Sequence, residues 1–118
     1  MTHTITLPFP PKELNPNKRL HWAVKSAKTK IARQTAYDIA KVYGLKAPST
    51  EKIAIRWQFY PPDRRRRDDD NLLLCCKGYR DGIADALGIN DRRFVSTPEI
   101  MDEVVKGGKV VVTLGEIR

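Results

Sequence analysis

The chain has 118 residues, 41% of them hydrophobic, and its 22 Lys and Arg against 14 Asp and Glu leave a net charge of +8. That length allows one domain with a modest core, and the hydrophobic share excludes wholesale disorder. No stretch approaches the roughly 20 apolar residues of a membrane span, so the positive surplus points to nucleic acid ahead of an acidic membrane.

Met1-Thr2-His3-Thr4 has neither the basic segment nor the apolar core of a signal peptide, and a cytoplasmic protein is expected. Ile5, Leu7 and Phe9 alternate with Thr4, Thr6 and Pro8, which predicts a half-buried strand over residues 2–9. The proline- and asparagine-rich loop from Pro8 to Arg19 carries Lys12, Lys18 and Arg19, and Trp22 follows. These residues can grip a sugar–phosphate backbone and stack on a base; equally, the loop can be solvated with Trp22 packed inward. Ala23, Ala27, Ile31, Ala36, Ile39, Ala40 and Val42 give an apolar stripe for a helix from Trp22 to Tyr43, with Gly44 as its stop. Ile53, Ile55, Trp57 and Phe59 then oppose Lys52, Ala54, Arg56 and Gln58 in a strand from Glu51 to Tyr60, ended by Pro61-Pro62.

Past that strand end, four arginines run directly into three aspartates. Neither block can enter a core unpaired, so each calls for an outside partner. Arg64, Arg65, Arg66 and Arg67 suit phosphates through their multi-donor fork. Asp68 and Asp70, two apart at a loop-to-helix junction, suit a hard divalent cation. The plain alternative is a solvated charge run whose aspartates cap the helix.

The next pattern predicts a helix from Asp69 to Leu87. At 100° per residue, Lys77 and Asp81 fall within about 20° of Asp70, opposite an apolar face, and Leu74 is stranded near that charged stripe. Lys77 can meet charge developing on a phosphate, or pair with Asp81 one turn on. Adjacent Cys75 and Cys76 lack zinc spacing and read as small buried residues. Asp91 follows in a turn after Gly88. A straight helix over 71–87 spans about 25 Å, so Asp91 reaches Asp68 and Asp70 only by a fold-back, by bends at Gly78 or Gly82, or from a second subunit. A strand over Phe94 to Val105, a Gly107-Gly108 hairpin and a strand over Lys109 to Leu114 complete the chain, with the last two strands antiparallel. The expected fold is a single α+β domain over 1–118, in β-α-β-α-β-β order, with helices on one face of a mixed or antiparallel sheet.

The run Asp63-Arg64-Arg65-Arg66-Arg67-Asp68-Asp69-Asp70-Asn71-Leu72 resembles the RusA family of Holliday junction resolvases, whose signature is a basic run followed by Asp-x-Asp-Asn-Leu. Leu7-Pro8-Phe9-Pro10-Pro11 is similar to that family's first strand and proline turn. The Asp81–Leu87 helix, the Asn90-Asp91 turn and Lys106-Gly107-Gly108 are similar to its downstream parts. The resemblance implies a homodimeric, Mg²⁺-dependent endonuclease, with Mn²⁺ a possible substitute, that cuts four-way junction DNA in recombination and repair. It also implies Asp68, Asp70 and Asp91 as metal ligands and Lys77 as the catalytic lysine, while the DNA contacts expected of Arg64–Arg67, Lys18 and Arg19 rest on the chemistry of those residues. Two departures stand out. Lys77 follows Asp70 by seven residues where the family form has four, and Asp69 is an extra carboxylate, readable as a helix cap or as support for the pair. The competing expectations are a non-catalytic branched-DNA-binding module and a catalytically degenerate phage protein.

Overall fold

The strand alternation read from the sequence becomes a four-stranded mixed sheet in the computed structural model, which describes residues 2–15 and 21–118. The elements are β1 (Thr4–Pro8), α1 (Trp22–Val42), β2 (Ile53–Tyr60), α2 (Asp69–Cys75), α3 (Lys77–Leu87), β3 (Phe94–Ile100) and β4 (Lys109–Glu116), with short 3-10 turns at Lys12–Leu14 and Asp91–Arg93. They form a small α+β domain. Ile5 and Leu7 of β1, Ile53, Ile55, Trp57 and Phe59 of β2, and Val110, Val112 and Leu114 of β4 all turn to one buried face. Against that face pack the inward sides of the helices, including Ala32, Ala36, Ala40, Tyr79 and Ile83. None of the described helices is long and apolar enough to cross a membrane.

The sheet order is β1-β4-β2-β3. The last two strands therefore do not form the expected hairpin: β4 enters between β1 and β2, antiparallel to both, while β3 takes the outer edge parallel to β2. Residues 101–108 carry the chain over the end of β2, where the Met101 amide donates to Phe59 O at 2.8 Å and the Val105 amide to Pro61 O at 3.0 Å. β3 stops at Ile100, short of Val105, and its Pro98 is tolerated because only one side of an edge strand must pair.

The expected second helix is two helices. Cys76 leaves helical geometry at φ −95° and ψ 10°, which gives the order β-α-β-α-α-β-β. The break lets α2 stay beside β3 and the Lys12–Leu14 turn while α3 lies against α1. That second contact is close. A Cβ at Gly78 would stand 2.8 Å from Thr29 O, and one at Gly82 would stand 2.1 Å from Arg33 O. Such an approach admits only small residues on the facing helix, so the buried stripe of α1 is Ala32, Ala36 and Ala40. Ile31 and Val42, expected inward, are 62% and 77% exposed. Both cysteines are buried as expected, and desolvation pushes their thiols up.

Candidate nucleic-acid and metal site

The three parallel strands β1, β2 and β3 all end on one edge of the sheet, and the charge blocks lie there. Pro61-Pro62 ends β2, and the arginine loop then closes on itself. Asp63 accepts the Arg65 amide at 2.9 Å and pairs with Arg67 Nη1, also at 2.9 Å. Arg67 Nη1 donates in addition to the carbonyls of Asp63 and Arg65, and the guanidinium lies 5.5 Å from the centre of the Phe9 ring. The Arg67 hydrogen bond, reinforced by the Arg65 amide, holds the Asp63 carboxyl below its ordinary value. So the four arginines divide. The Arg67 side chain, 18% exposed, is the loop's own brace, whereas that of Arg65 is 84% exposed and meets Asp63 only at 3.8 Å. Arg64 and Arg66 are exposed and enter no ion pair among the described residues.

Asp68 is the N-cap of α2, its side chain accepting the Asp70 amide at 2.9 Å. This cap turns the chain so that one ligand atom from each of Asp68, Asp69 and Asp70 lies within 4.8 Å of the others. All three are exposed. Asp69, read as a cap or a support, is thus a full member of the cluster, and the cap is Asp68. In an octahedral Mg²⁺ site with bonds of about 2.1 Å, ligands sit roughly 3 to 4 Å apart. Three carboxylate oxygens within 4.8 Å of one another are hard donors of the type such an ion takes.

Asp91 is not part of the cluster. Ile53 pairs with Phe94 and Phe59 with Ile100, so residues before β3 and residues after β2 stand at opposite ends of the parallel pair. Six strand steps separate those ends by about 20 Å. The turn after Gly88 leads away to the far edge of the sheet and does not fold back. There Asp91 opens a 3-10 turn capped by Asn90, its carbonyl accepting from Arg80 Nη2 at 2.9 Å. It shares a cleft of about 200 Å³ with Arg33, Asp81 and Asp85. Arg33 clamps Asp85 through Nε at 2.6 Å and Nη2 at 2.9 Å, which lowers the pKa of Asp85 and raises that of Arg33.

Lys77 is exposed at the start of α3. The Cys76 break interrupts the stripe that linked it to Asp70, and no ion pair joins it to Asp81 among the described residues. Trp22 does not pack inward: it is 75% exposed and stacks on His21, ring centres 5.7 Å apart. Lys18 and Arg19, the other expected DNA contacts, lie outside the described residues.

One part of the site had no counterpart in the sequence reading. A cavity of about 900 Å³ opens between the loop after β1 and the arginine loop, walled by Phe9, Pro10, Lys12 and Asn15 on one side and by Pro62, Arg65–Arg67, Asp68, Asn71, Leu72 and Cys75 on the other. The signal that could have marked it is Phe9, an aromatic between two prolines at a strand end.

A protein of Xylella fastidiosa (strain Temecula1), described as uncharacterized, is 50% identical to this chain over 114 residues, covering 94% of this chain and 74% of the relative. No protein-family model matches the chain.

Proposed function

We propose that this chain, which belongs to one family with the Xylella fastidiosa protein, is a Mg²⁺-dependent endonuclease that cuts branched DNA. The four-way junction is the substrate its RusA-like motif implies. The observation that carries the reading is the meeting, at one loop-to-helix corner, of three converging carboxylates with exposed arginines. A molecule that only bound DNA would gain nothing from negative charge set beside the phosphates.

In this reading Asp68 and Asp70 hold the cation, with Asp69 in reach. When bound, it stabilises charge on the attacked phosphate and lowers the pKa of a coordinated water. Arg64, Arg65 and Arg66 hold the backbone, and Arg67 keeps their loop in shape. Lys77, free at the head of α3, meets charge on the reacting phosphate. Asp91 can join only from a second copy, so the working form is a homodimer, acting in the cytoplasm.

The cap made by Asp68 favours one other reading, in which the aspartates only start α2 and the arginines make a non-catalytic branched-DNA binder. Cleavage of an end-labelled four-way junction in Mg²⁺ separates the two. The wild type is expected to cut, and Asp70→Asn to bind at least as tightly without cutting. A wild type that binds but cuts no junction in Mg²⁺ or Mn²⁺, whatever the crossover sequence, leaves only the binding module.

A further inference from the structure

The cavity beside the arginine loop is built for more than a phosphate. Phe9, Pro10, Pro62, Leu72 and Cys75 supply its apolar surface. Its lining carries four cations, Lys12 from one side and Arg65, Arg66 and Arg67 from the other, against the two carboxylates of Asp63 and Asp68. The amide side chains of Asn15 and Asn71 lie in its walls. Its volume lies in the range of roughly 300 to 1,000 Å³ that small organic ligands occupy, and it sets apolar surface beside polar and charged groups. The surplus of cations adds that the ligand carries negative charge.

A nucleotide has that division: a flat base with apolar faces and polar edges, joined through a sugar to a phosphate. The Arg67 guanidinium resting against the Phe9 ring supplies a flat surface, and bases stack on arginine planes and aromatic rings alike. The Phe9 ring is held from behind, edge-on to Phe59 at 6.3 Å and against Gly108, where a Cβ would come within 2.8 Å of Phe9 Cβ. Paired bases inside a duplex cannot enter such a cavity. An unpaired base beside a branch point can.

We propose that this cavity takes one unstacked nucleobase from the DNA strand whose phosphates lie on Arg65 and Arg66. The inference rests on the proposed DNA-binding reading and deepens it. Asp68 lines the same cavity, so the captured base would flank the phosphate presented to the carboxylates. Branched DNA would then be chosen over plain duplex by the ease of extruding a base, because unstacking costs least where pairing is already interrupted.

The test uses the full chain without divalent metal and four-way junctions carrying 2-aminopurine at single positions around the crossover. Binding is followed by anisotropy and the state of the base by 2-aminopurine emission. At one position, saturating protein should change the emission at least about two-fold. An abasic site there should weaken binding by roughly ten-fold, the worth of one stacked base. Phe9→Leu should weaken binding to the intact junction by a similar factor and leave binding to the abasic junction unchanged. Should that variant misfold, the abasic comparison with wild-type protein still decides. Tight binding with unchanged emission at every position and no abasic penalty overturns the cavity assignment and leaves the arginine surface standing. An emission change that survives in folded Phe9→Leu places the base elsewhere and also overturns it. Failure of the wild type to bind any junction sinks the DNA-binding reading itself.

Discussion

Two groups of carboxylates stand at opposite ends of this sheet, and the protein treats them differently. At the far end, Asp85 is locked to Arg33 by two hydrogen bonds and the chain around Asp91 is tied down by Arg80. At the near end, Asp68, Asp69 and Asp70 converge with no ion-pair partner among the described residues, although exposed arginines stand a few positions away in sequence. Asp85 is thus neutralised within the fold, whereas the exposed near cluster is not, and in the proposed function it is that open cluster which takes a partner from outside. Nearness in sequence alone did not decide which carboxylates were paired: Asp63 takes Arg67 four positions on, while Asp68, Asp69 and Asp70, next to the same arginines, stay open.

The sharpest way to break the comparison is to neutralise each end in turn. Asp70→Asn should cost cleavage roughly a thousand-fold, the size of several kcal/mol of lost transition-state stabilisation, whereas Asp85→Asn should leave the rate near wild type. If Asp91 serves a second copy's site, Asp91→Asn is inactive as well, and mixing it with Asp70→Asn rebuilds one whole site per mixed dimer. The mixture should then nick one strand of the junction; no recovery after subunit exchange argues against shared sites. The next effect concerns binding. Arg65→Ala with Arg66→Ala should make the log–log salt dependence of affinity shallower by about two, while Arg67→Ala should change that slope little and disorder the loop instead. Equal slopes for both variants would contradict the division within the arginine run.

A smaller effect tests how α3 connects the two ends. Gly82→Ala puts a methyl group against Arg33 O and should cost about 1–3 kcal/mol in chemical denaturation, with α3 pushed off α1. The smallest is a titration. Asp63 has its pKa lowered in the folded loop, so its support for the loop is complete above the ordinary carboxylate value of 3.8 and fades as pH falls through the lowered one. The Asp63 carboxyl carbon should titrate below 3.8 by NMR, and the Arg67 Nε–H resonance should move with the same midpoint. A midpoint at or above 3.8 would mean that the brace does not form in solution.

Much of this could be read in the chain beforehand, and the misses share a cause. β1 and β2 were legible because a sheet with one buried face writes period two into Ile5-x-Leu7 and Ile53-x-Ile55-x-Trp57-x-Phe59. The Asp68–Asp70 cluster was legible because its geometry is local. The hairpin was missed because Gly107-Gly108 specifies a turn and says nothing about which strand receives the chain afterwards. On α1 the apolar stripe read from the sequence contains Ala36 and Ala40, which are buried, but also Ile31 and Val42, which are exposed, and it leaves out Ala32. The buried side lies on the alanines because Gly78 and Gly82, more than 40 residues away, bring a second backbone into contact. The cavity was invisible for the same reason, since its two walls meet only in three dimensions.

The central place of β4 sets the order in which these parts can come into being. β1 and β2 never pair with each other; both are registered on β4, with Thr4 opposite Thr113 and Arg56 opposite the same residue. Of the four strands, β4 is the last to leave the ribosome. Until it inserts, nothing in the sheet fixes the height of the Phe9 loop relative to the arginine loop, and pairing β1 with β4 closes more than 100 residues of chain. The emerging chain can hold its helix starts and its charges well before it can hold its cavity. On the proposed function, a nascent copy would therefore attract polyanions before it could discriminate among them.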